Sequence, residues 1–462
     1  MRNALWTADE IAQAVGGQVA GDFAATGVSI DTRSVEQGDL FVPLVGARDG
    51  HDFVPQAVAN GAAGVLAAKP VDAPAVMVAD TFKALEALGV AARERAPRCK
   101  RGAVTGSVGK TSVTRAVEAG LRLAGKAHAS VKSYNNHIGV PLTLARMPRD
   151  TERAVFEIGM NHADEIVPLS GFVQPHAVAI TTVGPVHIEN FPDGEAGVAR
   201  AKAEIFAGLR PGGIAVLNAD NRWFDYLKGE AEKVGASVWS FGEAAGATAR
   251  LTGFSVEGEG ATVSVDLRGE ALSFPIRQTG VHWGPNSLCV LLMLEALDVP
   301  RETALAALAA FAPIEGRGAE KTVRIGGGAF TLVDESYNAN PVSMQAALKT
   351  LGARKVAGRR IVALTDMLEL GEDSARFHAE LAEPIAAANV DMVFLAGVHM
   401  KSLWEALPPT RRGGYAMVTE ELMAKLAGAI RPGDVVMVKG SNGSRAGLLA
   451  QALATLDLEE RV

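Results

Sequence analysis

The residues with the most chemistry in this chain run from Ala103 to Ser112. A short apolar run leads into Gly106-Ser-Val-Gly-Lys-Thr111, and a helical pattern follows over 112–124. Glycines in such a turn let backbone N–H groups curl around a phosphate, and the start of a helix adds favourable partial charge. Lys110 is placed to neutralise β/γ-phosphate oxygens, and Thr111 to offer its hydroxyl to Mg²⁺. The candidate nucleotide cradle is therefore Thr105, Gly106, Ser107, Val108, Gly109, Lys110, Thr111 and Ser112. The usual spacing of this loop puts a glycine at 104; Val104 stands there, so the loop is a shorter variant. Strand and helix flank it as the mechanism requires, which a chance Gly-Lys-Thr would not explain, and the expectation is ATP cleavage.

Other polar residues follow apolar runs. Glu157 closes a run at 154–158, where a carboxylate near a phosphate loop can serve Mg²⁺ or simply meet solvent. His187 stands alone in a loop, and Lys202 lies in a helical stretch whose lysines are solvated by default. A lysine near a metal has a second option, capture of CO₂ by its neutral amine to give an anionic carbamate. Arg317 sits between two glycines, as an arginine reaching a transferring phosphate would, or as a plain exposed turn would. Asp334 and the segment Tyr337-Asn338-Ala339-Asn340 follow another strand; they suit a grip on a ribose or an amide, or an Asx-turn leading to the helix after Pro341.

These residues need a scaffold, and 462 residues allow about three domains. Apolar residues at 48% fill several cores, and 50 glycines suit tight strand-to-helix turns of an α/β protein. Over 1–98, Thr7-x-x-Glu10 reads as a capping box opening a helix at 8–15. Short strands are predicted at 28–30, 40–44, 65–67 and 76–78, then a helix at 82–95. The basic run Arg98 to Gly102 reads as a solvated linker. A central domain over 99–312 has buried strands near 103, 154–158, 178–182 and 214–217, separated by helices, so a parallel sheet is expected. Its pattern alternates from 248 to 276, predicting attached antiparallel strands. A third domain, 313–462, alternates strands at 332–333, 361–364, 393–395 and 435–438 with helices, a doubly wound Rossmann-like unit.

A net charge of −7 excludes a general attraction to nucleic acid or anionic membrane. The two cysteines, Cys99 and Cys289, imply no disulfide framework, which suits a reducing cytoplasm. The opening residues turn polar at once, unlike a signal peptide, and no apolar run reaches a membrane span.

Taken in order, the motifs resemble the Mur ligases, the ATP-dependent amino-acid-adding enzymes of peptidoglycan synthesis. They are Asp31-Thr-Arg33, Gly38-Asp-Leu-Phe41, Asp49-Gly-His-Asp-Phe53, the phosphate loop, Asn135-Asn-His-Ile-Gly-Val-Pro141, Glu157 with Asn161-His162, His187, Lys202, Gly280 to Asn286, Gly316-Arg-Gly318, Asp334 to Pro341, Asp366-Met-Leu-Glu-Leu-Gly371 and Lys439-Gly-Ser441. The stretch Asp334-Glu-Ser-Tyr-Asn-Ala-Asn-Pro341 is similar to that of the branch adding D-alanyl-D-alanine to a UDP-MurNAc-tripeptide. The Asp-Asn-Pro-Arg motif of the diamino-acid-adding branch is missing. His137, Thr365 and Pro43 depart from the family pattern.

The resemblance implies ATP and two Mg²⁺ ions as cofactors, with Thr111, Glu157, His187 and a carbamylated Lys202 as metal ligands. It implies nucleotide contacts from His282, Asn286, Arg317 and Asp334. Asp31, Thr32, Arg33, Gly46, Asp49 and His51 would surround the UDP-sugar. Asn135, Asn136, Asn161 and His162 would line the reacting centre, and Tyr337, Asn338 and Asn340 the interdomain cleft. The catalytic set would be Lys110, Glu157, Asn161, His187 and Lys202. The implied reaction passes through an acyl phosphate, in a cytoplasmic monomer. A folylpolyglutamate synthase-like ligase and a regulatory ATPase without ligase activity are the competing readings.

Overall fold

The computed structural model describes residues 4–131, 134–257 and 260–457. Three sheets organise it, one per domain, with a two-stranded ribbon, Trp6–Thr7 against Ala24–Ala25, beside the first. Thr7 and Glu10 form the expected capping box at the start of the helix Ala8–Val15. The N-terminal sheet has five strands in the order Gln18–Ala20, Ala75–Met77, Gly64–Ala67, Asp39–Phe41 and Gly27–Ser29. The strand Asp39–Phe41 stops short of the expected residue 44. Pro43 has no N–H for a ladder, and its carbonyl instead accepts the Thr81 hydroxyl at 2.6 Å.

The central sheet has nine strands: Glu270–Ile276, Gly260–Leu267, Ala249–Glu257, Ser237–Gly242, Ile214–Asn218, Ala177–Ile180, Lys100–Thr105, Arg153–Glu157 and Ala127–Ala129. The first three form the antiparallel extension read from the alternation, and the remaining pairs are parallel. One apolar core lies on each face of this sheet. The run Arg98 to Gly102 is a solvated linker only at its start, where Arg98 is exposed; Lys100–Thr105 is an interior strand, and Arg101 within it is buried. Its guanidinium donates to the carbonyls of Val173, Cys99 and Gln174, two of them at the end of the helix Ile166–Val173. These bonds satisfy the charge away from water, and a basic residue can then occupy a buried strand.

The C-terminal sheet has six strands in the order Ala319–Ile325, Gly328–Glu335, Val435–Lys439, Arg360–Thr365, Met392–Ala396 and Arg412–Ala416. Only the first pair is antiparallel. The strand Val435–Lys439 inserts between two earlier ones, and the segments after Glu335, Thr365 and Lys439 emerge side by side at the carboxyl edge. That edge faces the phosphate loop of the central domain. On the other side, the helix Gly139–Ala145 packs Leu142 and Ala145 into the N-terminal core, and Trp6 Nε1 donates to the Ala145 carbonyl at 2.8 Å.

Candidate active site

The phosphate loop joins the strand Lys100–Thr105 to the helix Lys110–Ala124. Gly106 has φ +148°, and a Cβ there would fall 1.9 Å from Thr181 Oγ1. Thr181 Oγ1 in turn donates to the Val108 carbonyl at 2.5 Å. Ser107 exchanges hydrogen bonds with Gly184, its hydroxyl donating to the carbonyl and accepting from the N–H. The loop is thus pinned to the next strand's end with its helix N-terminus open to a cavity of about 430 Å³. Lys110 Nζ donates to the Gly106 carbonyl at 2.6 Å. Burial pushes the Lys110 ammonium pKa down, with Glu157 opposing and Arg317 adding to the shift.

The cavity wall brings together Ser107 to Ser112, Asn135, Glu157, Asn161, His187, His282, Asn286, Arg317, Tyr337 and Asn338. Asn135 Nδ2 donates to Glu157 Oε1 at 2.7 Å, while Glu157 Oε2 is buried with no hydrogen-bond partner among the described residues. Arg317 crosses from the C-terminal domain and donates to Thr111 Oγ1 at 3.1 Å, its guanidinium 4.2 Å from the centre of the Tyr337 ring. His282 lies at the start of the helix Trp283–Ala296, and burial lowers its imidazole pKa.

Lys202 is fully enclosed behind this wall, at 2% exposure, on the helix Glu195–Ala203. Burial, and then the charge of Lys110, push its pKa well below the usual lysine value. A neutral amine in such a place can take up CO₂. The unpartnered Glu157 oxygen, the Thr111 hydroxyl, His187 and a Lys202 carbamate are a donor set that fits Mg²⁺, a cation satisfied by few protein oxygens plus phosphate and water. Among the described residues no three His, Cys, Asp or Glu side chains form an all-protein metal cluster.

Other candidates lie outside the wall. Thr105 is buried beneath the loop. Asn136 Oδ1 accepts from the N–H groups of Ile138 and Gly139, and His162 is exposed. Asp334 accepts from Gly316 N and from Ser336 N and Oγ, so its carboxylate holds the loop that carries Arg317. Asn340 caps the helix Pro341–Ala353. In the N-terminal domain Asp31 pairs with Arg33, which is largely exposed beside Thr32, and Gly46 lies in an exposed turn. Asp49 accepts from His51 Nδ1 at 2.7 Å and pairs with Lys69, and His51 Nε2 accepts from Ala68 N. Those two bonds fix one neutral tautomer of His51.

Several wall residues carried no role in the sequence reading. Lys439 is buried, pairs with Glu335 at 3.3 Å and donates to the Asn338 carbonyl at 2.9 Å. Thr181, Asn218 and the face of the helix Pro341–Ala353 bearing Val342 and Ala346 complete the enclosure. A strand-end position was the available signal for Lys439, Asn218 and Thr181; nothing local marked the helix face.

The Mur ligase family catalytic domain matches residues 24–106, the Mur ligase middle domain 104–294, and the Mur ligase glutamate ligase domain 321–442. The chain belongs to the Mur ligase family. Within it, the similarity runs to one branch. A Rickettsia prowazekii relative named UDP-N-acetylmuramoyl-tripeptide–D-alanyl-D-alanine ligase is 31% identical over 95% of this chain and 97% of its own. A crystal structure of MurF from Acinetobacter baumannii superposes with a TM-score of 0.86, 28% identity, and coverage of 97% of this chain and 99% of that one. A folylpolyglutamate synthase from Mycobacterium tuberculosis shares the fold alone, with a TM-score of 0.58 and 17% identity over 80% of this chain and 94% of its own.

Proposed function

We propose that this chain is the ATP-dependent ligase that joins D-alanyl-D-alanine to UDP-N-acetylmuramoyl-tripeptide, giving the pentapeptide precursor of peptidoglycan. The observation that carries the chemistry is the meeting of two domains at one cavity: Arg317 donates to the phosphate-loop Thr111, beside Lys110 and the unpartnered carboxylate oxygen of Glu157. The tripeptide's terminal carboxylate attacks the γ-phosphorus, and the bond to the ADP oxygen breaks. The dipeptide amine then attacks the acyl carbon; phosphate leaves, and the amine loses a proton.

Lys110 and Arg317 offset the charge that would keep two anions apart. The loop N–H groups orient the phosphates, and the three domains exclude water that would hydrolyse the acyl phosphate. Thr111, Glu157, His187 and Lys202 as its carbamate would hold Mg²⁺, which supplies further neutralisation of the transferring phosphoryl group. Asn135 orients the Glu157 carboxylate through their hydrogen bond. The N-terminal domain with Asp31, Arg33, Asp49 and His51 would take the UDP-sugar, and the segment from Tyr337 to Asn340 would face the incoming dipeptide. A cytoplasmic setting accords with two buried free cysteines. No helix among the described residues is long and apolar enough to cross a membrane.

Phosphate release with each substrate omitted in turn tests this reading. Release is expected only when ATP, the UDP-linked tripeptide and the dipeptide are all present. Turnover with a folate and glutamate instead, or ATP hydrolysis indifferent to both peptides, would overturn it.

A further inference from the structure

The motif Asp366 to Gly371 does no chemistry in the scheme above, yet it is built to reach across the domain boundary. Three anchors hold it to the C-terminal sheet. Asp366 Oδ1 accepts from Met400 N at 3.0 Å, Met367 N donates to His378 Nε2 at 3.0 Å, and Leu368 N donates to Ser441 Oγ at 3.1 Å. His378 is itself fixed, because Nδ1 donates to the Ser374 carbonyl at 2.7 Å. From this base Glu369 turns out with φ +62°, a left-handed conformation unfavourable for a glutamate. Gly371 backs against Glu189 of the central domain. Glu369 Oε2 then lies 2.5 Å from His187 Nδ1.

Stability does not account for this contact. The Glu369 side chain is 53% exposed, and pairs of that kind contribute little to folding. The backbone conformation opposes it further. What the contact does is select a face of the His187 ring. Nδ1 faces the carboxylate at ion-pair distance, off the angle of a good hydrogen bond, and has no other partner among the described residues. Nε2 makes no hydrogen bond to the described residues, and the ring lines both the main cavity and a smaller one of about 200 Å³ between the two domains.

We propose that Glu369 is a positioning residue: it holds the proton of His187 on Nδ1, so the Nε2 lone pair serves the cavity only while the C-terminal domain is docked. A carboxylate behind a histidine is the usual device for fixing both tautomer and ring angle. Here the device sits on a different domain from the histidine it sets, which couples docking to completion of the site. The inference rests on the ligase reading for its kinetic arm, but its spectroscopic arm is independent of that reading.

The test uses the full chain carrying ¹⁵N-labelled histidine, with Glu369→Ala and Glu369→Gln. The His187 signals among the nine histidines are assigned by their loss in His187→Gln. Without substrates, the unsubstituted protein is expected to show His187 protonated at Nδ1. Glu369→Ala is expected to lose that preference, and Glu369→Gln, which keeps an acceptor oxygen, to retain most of it. In turnover, Glu369→Ala is expected to lower kcat about 10–100-fold with the KM for ATP within about twofold, and Glu369→Gln to recover part of the loss. An unchanged ring in Glu369→Ala overturns the proposal, as does an unchanged kcat. An absence of ligation in the unsubstituted protein would remove the ligase reading while leaving the ring measurement intact.

Discussion

Replacing Gly106 by alanine tests whether the short phosphate loop works as its geometry says. Two costs arise at this residue. Its φ of +148° is one that an L-residue rarely adopts, at about 1–3 kcal/mol. The new Cβ would also stand 1.9 Å from Thr181 Oγ1, forcing Thr181 off the Val108 carbonyl that it holds. Losing that bond adds roughly 0.5–1.5 kcal/mol. Together the loop is displaced from its phosphate-ready form by about 2–4 kcal/mol, and nucleotide affinity should fall roughly 30- to 1000-fold, at tenfold for each 1.4 kcal/mol. Isothermal titration with ADP reads this directly. In Gly106→Ala/Thr181→Ala the collision with Oγ1 is gone but the backbone cost stays, so only part of the affinity should return. Binding of Gly106→Ala within about threefold of the unsubstituted protein would refute the role assigned to the loop.

Three further outcomes are expected. Lys202→Ala should cripple turnover, with a short-chain acid partly restoring it by replacing the lost carbamate; full activity without additive would remove the carbamate from the scheme. Arg317→Ala should lower kcat by at least about a hundredfold while ADP affinity changes much less, and Arg317→Lys should not restore the rate, because an ammonium lacks the planar fork; equal losses in rate and ADP affinity would contradict a role in the transferring phosphate. His128 is half-buried, and desolvation lowers its pKa to about 4 from an ordinary 6.5; His176 shifts the same way through burial and nearby arginines. The folded state keeps these rings neutral while the unfolded chain protonates them, so their contribution is complete above about pH 6.5 and is lost as pH falls towards 4. For His128 this amounts to roughly 3 kcal/mol at most. Urea midpoints measured from pH 7 to 4.5 should fall less steeply in His128→Gln, and identical slopes would contradict the assignment.

How far the sequence reveals this molecule depends on the range over which each signal acts. The phosphate loop is local. Its glycines, lysine and threonine sit within six residues, and the flanking strand and helix carry their own patterns. The antiparallel extension was legible because Gly260–Leu267 buries alternate residues on one side. Arg101 misled because the usual rule places arginine in water, and its partners at Val173 and Gln174 lie more than seventy residues away. The strand Arg412–Ala416 was missed for a related reason. Two glycines in five residues carry no strand pattern, yet a Cβ on Gly413 would meet the Phe394 ring at 2.7 Å, so the glycine lets the two strands approach.

The site shows the same division more sharply. The proposed phosphate cradle lies on one loop and is legible; residues that set its partners come from contacts between domains and are not. Asp334 reads as a grip on a ribose or an amide, or as part of an Asx-turn, and its carboxylate accepts from Gly316 N and, in the Asx-type contact, from Ser336 N. What it controls is where Arg317 arrives, 206 residues along the chain from the threonine it meets. Lys439 likewise reads as the end of a strand and turns out to hold the Asn338 carbonyl in the wall. Each of these C-terminal groups acts on the cavity only through the docking of its domain. Local motifs therefore specify what chemistry is available, while the interface decides when the groups stand together. Separating the domains, by disrupting the interface around Gly371 and Glu189 for instance, should then leave nucleotide binding to the central loop largely intact and remove ligation.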